Sequence, residues 1–283
     1  RTHTKSPDRP TEHQDQRPNT KDPIHTLTHW QNKTVLITGA SSGIGKEFAL
    51  QLTRRGASVG IVARRADMLA DIVNEISVQG GTALPLVADV TNAAEIRTQS
   101  DRFRAELGPI DVLIVNAGIG GTVVHPAQLQ PEQFARVIEV NVIGAANSVA
   151  AILPEMVERG SGRLVAISSL SAYRGLPKSG AYCASKAALS IYFETLRLDL
   201  KNSGVEVTII HPGFIKTPLT AGRKAKMPYM MELDEAVLKM IQGIESGKKS
   251  FAFPWQLASL VRLGMIMPNW MYDSIATRNS YRE

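Results

Sequence analysis

The stretch VLITGASSGIGKEFAL, residues 35–50, decides the fold. Its apolar start is typical of a strand buried on both faces; a Gly-rich turn follows, and a helical pattern begins near Gly43. Glycines permit positive φ and a close approach of the backbone to a ligand, while a helix N-terminus offers free N–H groups and a partial positive charge. The stretch therefore predicts the first strand-turn-helix unit of a nucleotide-binding sheet, with phosphates held at the turn.

The same alternation of strand and helix continues along the chain. Continuous apolar runs, which suit strands buried on both faces, occur at residues 34–38, 58–62, 82–88, 111–115, 163–168 and 205–210. Helical patterns lie between these runs and begin near Gly43, Ala66, Thr91, Pro131, Ala181 and Asp234. This alternation predicts an α/β fold, a Rossmann-like doubly wound parallel sheet in a single domain over residues 33–253.

The two ends of the chain differ from this domain. Residues 1–32 begin with a stretch, 1–23, that has no hydrophobic side chain, so we expect a flexible polar tail. Residues 254–283 belong to an apolar extension in which Arg262 is the only charged residue between 251 and 272. Because Pro254 and Pro268 interrupt it, we expect a short helix that lines a lipophilic substrate pocket or contacts a partner subunit.

Composition and charge narrow the class of protein. The net charge is +6, but the basic residues are scattered and blocks such as 222–226 are short, so no nucleic-acid partner is predicted. Cys183 is the only cysteine, which excludes an intrachain disulfide and fits a reducing, cytoplasmic location. The histidines lack metal-ligand spacing, and no metal site is predicted. No uninterrupted apolar run of about eighteen residues exists, so no membrane span is expected.

Short motifs along the chain occur in the order found in one known family. They are TGASSGIG (38–45), DV (89–90), NAG (116–118), NVIG (141–144), ISSLSA (167–172), YCASK (182–186) and PGFIKTP (212–218). With these motifs in register, residues 33–253 resemble the short-chain dehydrogenases/reductases, which are nicotinamide-dependent oxidoreductases with a Rossmann fold. A P-loop nucleotide hydrolase is the rival for the glycine turn, but Ala40 and Glu47 stand where that motif needs a glycine and a hydroxyl.

The resemblance implies a cofactor and its binding residues. After the second apolar run the chain has Ala63, Arg64 and Arg65, whereas an acidic residue at this point would repel the extra phosphate of NADP. Arg64 matches the family position for that phosphate, and a guanidinium there makes bonds worth about 1.5 to 3 kcal/mol each. NADP(H) is therefore the predicted cofactor. The implied cofactor-binding residues are Gly39, Ser41, Ser42, Gly43, Ile44, Gly45, Arg64, Arg65, Asp89, Val90, Asn116, Ala117, Gly118, Tyr182, Lys186, Pro212, Gly213, Ile215 and Thr217.

Tyr182 and Lys186 lie four residues apart on a predicted helix and so share one face. An ordinary tyrosine has a pKa near 10. A lysine charge about 4 Å away, at an effective dielectric of about 20, is worth about 4 kcal/mol and lowers the tyrosine pKa by up to about three units. The pair therefore predicts a phenol that exchanges a proton near neutral pH.

The resemblance gives these residues catalytic roles. Tyr182 would donate its proton to a carbonyl oxygen, Ser169, thirteen places earlier, would steady that oxygen, and Asn141 would support a water chain to Lys186. Ser168 and Ser171 are the alternative serines. For His211, at the end of the sixth apolar run, we expect a structural role, because Tyr182 already supplies the acid.

Together the motifs predict an NADP(H)-dependent carbonyl reductase or alcohol dehydrogenase with a lipophilic small-molecule substrate. The resemblance further implies a homodimer or homotetramer. Two alternatives remain: a regulator that binds the nucleotide without catalysis, and a peripheral membrane protein anchored by the C-terminal apolar segment. The intact set of Ser169, Tyr182 and Lys186 disfavours the first, and a single Arg262, which gives no basic helix face, disfavours the second.

Overall fold

A computed structural model describes residues 29–121, 126–221 and 227–278. Within these residues, seven parallel strands form one sheet in the order β3-β2-β1-β4-β5-β6-β7. Their bounds are Thr34–Thr38 for β1, Ser58–Ala63 for β2, Thr82–Val87 for β3, Val112–Val115 for β4, Gly162–Ile167 for β5, Val205–Pro212 for β6 and Ser250–Phe253 for β7. Because the order reverses between β1 and β4, a crevice opens at the carboxyl ends of these two strands.

Helices cover both faces of the sheet. They are α1 (Gly43–Thr53), α2 (Ala66–Val78), α3 (Ala93–Leu107), α4 (Pro131–Ile138), α5 (Gly144–Arg159), α6 (Gly180–Asp199), α7 (Leu233–Glu245), α8 (Trp255–Ile266) and α9 (Asn269–Arg278). Buried side chains of α1, α2 and α7 fill one core, and those of α3, α5 and α6 fill the other. The predicted α/β, doubly wound parallel sheet is confirmed.

Each predicted apolar run coincides with a strand to within two residues, although β3, at one edge of the sheet, has only Leu84 and Leu86 buried rather than both faces. β7 is the strand that the sequence pattern missed. It has four residues, SFAF, of which the first three are exposed or half-buried. It pairs with Ile209–Pro212 of β6 at the edge of the sheet. Because an edge strand this short shows neither a continuous buried run nor a clear alternation, its pattern merges with the apolar stretch that follows.

Trp30 lies inside the segment predicted to be a flexible tail, yet its side chain is fully buried in the core. Its indole Nε1 donates a hydrogen bond of 2.8 Å to Glu245 Oε1 on α7. A buried indole of this size stabilises the fold through its large apolar surface. The folded region therefore includes Trp30, whereas the first 28 residues of the predicted tail lie outside the described residues.

Among the described residues, one helical stretch, Pro131–Arg159, has the length and apolar composition of a membrane span, with a mean hydropathy of 1.6 in an 18-residue window within it. The stretch comprises α4, a π-helical turn at Glu139–Ile143, and α5. Its side chains Val149, Ile152 and Met156 lie in the core beneath the sheet. The stretch thus has the position of a core helix in this fold, which explains its apolar composition.

Candidate active site

The glycine turn lies where β1 gives way to α1. Gly39 has φ of +67°, and a Cβ added to it would lie 2.6 Å from Ala117 Cα. Any other residue would therefore be strained and would clash with the backbone beyond β4. Ser42, the N-cap of α1, makes no side-chain capping bond, and no acidic residue occupies the first turn. The N-terminus of α1 thus presents uncapped N–H groups, which suits an anionic phosphate.

Asn116 ties this turn to the neighbouring strand end. Its Nδ2 donates to Thr38 O (2.9 Å) and to Gly39 O (3.1 Å). Gly45 lies behind the turn, so close to Asn116 that a Cβ on it would come within 2.6 Å of Asn116 Nδ2. Asn116 and Gly45 therefore hold the turn in shape from below, while the turn itself faces the crevice.

The two arginines after β2 take different positions. Arg65 Nη2 donates to Ser41 Oγ at 2.7 Å and lies 3.3 Å from Ser42 Oγ, which places its guanidinium beside the glycine turn. Arg64 Nη1 lies 3.5 Å from Asp89 Oδ2. Both side chains reach the same end of the crevice, so an additional phosphate there would meet two positive charges.

Asp89 forms the centre of a small charge cluster at this end. Burial alone would raise the pKa of its carboxyl group, but hydrogen bonds from the backbone and side chain of Thr91, with the charges of Arg64 and Arg136, hold that pKa below its usual value. Arg136, on α4, also lies 3.5 Å from Asp89 Oδ2. Sequence reasoning missed Arg136 because no motif marks it and only the fold brings α4 beside the loop after β3.

Tyr182 and Lys186 lie on one face of α6, as their spacing predicts. The Lys186 ammonium lies 5.8 Å from the centre of the Tyr182 ring and donates a hydrogen bond of 2.8 Å to Ile167 O at the end of β5. The lysine side chain is 4% exposed. Burial lowers the pKa of Lys186 to about 8. At neutral pH the ammonium is still mostly charged and can act on the tyrosine.

Asn141 lies in the π-helical turn between α4 and α5 and is buried. Its Oδ1 accepts from Ile119 N (2.8 Å), and its Nδ2 donates to Ile119 O (3.0 Å) and to Ser185 Oγ (2.9 Å). The extra residue of a π turn redirects side chains, and such turns recur at functional sites. The amide thereby links the loop after β4 to the helix that carries Tyr182 and Lys186.

The three candidate serines differ in what they contact. Ser168 Oγ donates to Lys186 O (3.1 Å) and lies 2.7 Å from Ser190 Oγ, so it fastens β5 to α6. Ser169 Oγ accepts a 3.2 Å bond from Ser171 N, which leaves its own hydroxyl proton available to a ligand. Ser171 Oγ is buried and has no hydrogen-bond partner among the described residues. Ser169 thus fits the predicted role better than Ser168, and Ser171 places a second hydroxyl in the lining of the same cavity.

His211 lies deep in the structure, 4% exposed, with Nε2 3.2 Å from Ser190 Oγ and its ring 4.9 Å from that of Tyr173. Burial lowers the pKa of His211 from 6.5 to about 4. A neutral, packed imidazole at this depth is consistent with the structural role expected from the sequence.

One cavity of about 780 Å³ joins these groups. It is lined by the glycine turn, both arginines, Asp89 and Val90, residues 116–118, Ser169, Tyr182, Lys186 and the turn that contains Pro212, Gly213, Ile215 and Thr217. Ser41, Ser42, Gly43 and Ile44 also line it. Gly45 and Asn141 support it from behind. Apart from Gly45 and Asn141, the predicted site residues therefore line a single crevice, to which the six loops after β1 to β6 and helix α6 contribute.

The far end of the cavity is apolar, and the C-terminal helices form its wall. The lining residues there are Leu170, Leu176, Phe214, Pro218, Leu219, Pro228, Leu257, Leu260, Val261, Leu263, Met267, Ile275 and Ala276. A Cβ on Gly213 would lie 2.8 Å from Leu257 Cδ2, so that glycine lets α8 approach the catalytic edge closely. The basic block 222–226 lies outside the described residues.

Comparisons with known proteins identify the family of this chain. The sequence profile of the family described as short chain dehydrogenase matches residues 33–228. An uncharacterized oxidoreductase of Myxococcus xanthus is 44% identical over 87% of this chain and 97% of its own. An 11-beta-hydroxysteroid dehydrogenase-like 3 protein of Arabidopsis thaliana is 36% identical over 77% of this chain and 72% of its own.

Among solved structures, a gluconate 5-dehydrogenase from Burkholderia cenocepacia, in complex with NADP and tartrate, has the same fold. It is 24% identical, with a TM-score of 0.75 over 83% of this chain and 99% of its own. The matched profile spans the glycine turn, Ser169 and the Tyr182 and Lys186 pair. The chain therefore belongs to the short-chain dehydrogenase family of oxidoreductases.

Proposed function

We propose that this protein is an NADP(H)-dependent oxidoreductase that interconverts a lipophilic carbonyl compound and its secondary alcohol. The observation that carries the proposal is the single cavity in which a phosphate-binding turn with two arginines, the Tyr182 and Lys186 pair and an apolar wall follow one another. A regulator that only binds the nucleotide would need neither the Tyr182 and Lys186 pair nor the apolar wall.

The residues present fit a dinucleotide with an additional phosphate. Gly39 leaves the space that a Cβ would fill, the N-terminus of α1 has no side-chain cap, and β2 ends at Ala63, where an acidic residue would repel the extra phosphate. Arg64 and Arg65 would hold the extra phosphate, and the turn after β6 would hold the amide of the nicotinamide. The NADP complex of the Burkholderia relative gives a precedent for that cofactor on this fold.

In the proposed mechanism, a bound nicotinamide supplies or accepts the hydride. Tyr182 donates the phenolic proton to the substrate oxygen during reduction and takes it back during oxidation. Ser169 donates a hydrogen bond to the same oxygen, where negative charge develops. Lys186 stabilises the tyrosinate electrostatically, and Asn141 keeps the loop after β4 in register with α6. The apolar far wall excludes water from the reacting centre.

A lipophilic substrate fits the far end of the cavity, because burial of apolar surface there is worth about 25 cal/mol per Å². The wall contains thirteen apolar side chains from four segments of the chain, among them Phe214, Leu257 and Met267. The similarity to the Arabidopsis hydroxysteroid dehydrogenase-like protein supports a bulky substrate of this kind. The hydroxyl of Ser171, which has no hydrogen-bond partner among the described residues, would suit a substrate with a second polar group.

The proposal is tested by following NADPH oxidation with a panel of ketones, aldehydes and lipophilic 3-oxo compounds. We expect the highest kcat/KM for a bulky apolar carbonyl compound. Specific binding of NADPH without turnover of any carbonyl or alcohol on the panel would instead favour the regulator.

Replacing each serine in turn separates their roles. Ser169→Ala should lower kcat by about a hundredfold, the typical loss when one donor to a developing oxyanion is removed. Ser171→Ala should act mainly on KM, and Ser168→Ala mainly on stability, because Ser168 bonds only to groups of the protein. Steady-state kinetics with thermal unfolding as a control distinguishes them; a larger loss of kcat in Ser168→Ala than in Ser169→Ala would reassign the serine.

The buried His211 should make stability depend on pH. Its folded pKa of about 4 is below the ordinary 6.5, so the unfolded state takes up a proton first and the native state loses stability as pH falls from 6.5 to 4. The full effect is about 3 kcal/mol in the free energy of unfolding. Urea titrations at several pH values give the free energy of unfolding, which should fall less steeply toward acid pH in His211→Asn than in the wild type. The same pH dependence in both proteins would contradict the lowered pKa of His211.

A further inference from the structure

Arg174 holds the turn between the two C-terminal helices. Its Nη1 donates to Gly264 O and to Met267 O (3.0 Å), and its Nη2 donates to Asn269 Oδ1 (2.9 Å). These acceptors span the end of α8 and the start of α9. Arg174 itself follows the short 3-10 turn Leu170–Ala172 that Ser169 caps. One side chain thus joins the serine segment to a part of the chain about ninety residues away.

Tyr272 of α9 completes the contact from the other side. The guanidinium carbon of Arg174 lies 3.8 Å from the centre of the Tyr272 ring, a stacking distance, and Tyr272 Oη donates to Gly175 O at 2.6 Å. A Cβ on Gly264 would lie 3.5 Å from Tyr272 Cε2, so the two helices meet closely at this point. The bonds run in both directions between the segments, which fixes their relative orientation.

Few other side chains of the described residues pack on the outer part of this helical pair. Leu257 and Ala258 at the start of α8 pack on Leu170, but Leu260, Ile266 and Trp270 are exposed by 56%, 81% and 74%. Because these side chains bury little apolar surface, packing stabilises the end of α8 and the start of α9 weakly, and Ala276 is the buried apolar side chain of α9 among the described residues. The contacts of Arg174 and Tyr272 are therefore a large part of what keeps the pair closed.

We propose that Arg174 is a positioning residue that, together with Tyr272, latches α8 and α9 over the apolar end of the cavity and thereby sets its preference for bulky substrates. Leu260, Leu263, Met267 and Ile275 of these helices line that end, so opening the latch would expose a bulky ligand to water beside Ser169. The latch is a specificity device in the reaction proposed above, and it rests on that proposal.

The test combines hydrogen exchange with kinetics on the full chain. Arg174→Lys keeps the charge but loses the planar fork and the stacking, and Tyr272→Phe keeps the ring but loses the bond to Gly175 O. We expect amide exchange in residues 255–278 to accelerate by about tenfold in the first variant and about fivefold in the second. Exchange in β1, β4 and α6 should not change.

In the same variants, the ratio of kcat/KM for a bulky ketone to that for a small ketone should fall by about tenfold, through KM for the bulky ketone, with NADPH affinity retained. Arg262→Lys, on the exposed side of α8, is the matched control and should change neither exchange nor the ratio. Unchanged exchange in Arg174→Lys, or faster exchange with an unchanged ratio, would overturn the latch. Failure of the wild type to turn over any carbonyl would instead refute the proposed function, while the exchange result would still stand by itself.

Discussion

Tyr182→Phe should lower kcat for carbonyl reduction by at least about a hundredfold, because it removes the positioned acid and leaves the ring in place. NADPH affinity should change little, since Lys186 and the glycine turn keep their geometry. Stopped-flow binding and steady-state turnover measure the two quantities separately. Tyr192→Phe, on the same helix α6 but away from the cavity lining, is the matched control and should keep full activity.

If Tyr182→Phe retained activity, another group would have to supply the proton, and the Tyr182 and Lys186 pair would not be the catalytic acid. Lys186→Met should be at least as damaging as Tyr182→Phe, because it removes the charge that stabilises the tyrosinate and the bond to Ile167 O. With the pKa of Lys186 at about 8, the wild type should also lose rate as the pH rises through that value and the ammonium becomes neutral.

The double variant Arg64→Ala with Arg65→Ala should reduce the preference for NADPH over NADH by about tenfold to a hundredfold. The two single variants should lose this preference for NADPH to different extents. Arg65 already lies 2.7 Å from Ser41 beside the glycine turn, whereas Arg64 lies near Asp89 and must exchange that partner for the phosphate. We therefore expect at least as large a loss from Arg65→Ala as from Arg64→Ala.

Direct titration with both dinucleotides, at two ionic strengths, measures this preference. Arg97→Ala, an exposed arginine on α3, serves as a control for the change in net charge and should leave the ratio of affinities unchanged. Equal affinities for NADPH and NADH in the wild type would remove the basis for an NADP(H) enzyme. A preference that survives in the double variant would place the phosphate elsewhere.

Local patterns account for what the sequence predicts well. The strands buried on both faces are continuous apolar runs, and Tyr182 and Lys186 need only helical spacing to share a face. The role of Gly39 can be predicted because a turn of this kind requires a positive φ at that position. Each of these signals lies within a few consecutive residues, so no knowledge of the three-dimensional fold is required.

The features that sequence reasoning missed depend on contacts between distant segments. Arg174 meets residues about ninety positions later, and Arg136 approaches Asp89 from a different helix. Neither belongs to a spacing pattern, so neither is marked in the chain. The apolar-free stretch 1–23 predicts a polar tail but does not show where the tail ends, whereas the ring of Trp30 fills the core against α7. The roles of Arg64 and Arg65 likewise depend on how each side chain turns after β2.

The most direct test of the account is the fate of the hydride. NADPH labelled with deuterium at the transferable position is mixed with the enzyme and the best carbonyl compound of the panel, and the alcohol is analysed by mass spectrometry. We expect one deuterium on the carbinol carbon in the wild type and at least about a hundredfold less labelled alcohol in the same time with Tyr182→Phe. Alcohol that forms without the label, or no alcohol from any carbonyl compound offered, would contradict the proposal that this cavity transfers hydride from NADPH to a carbonyl carbon.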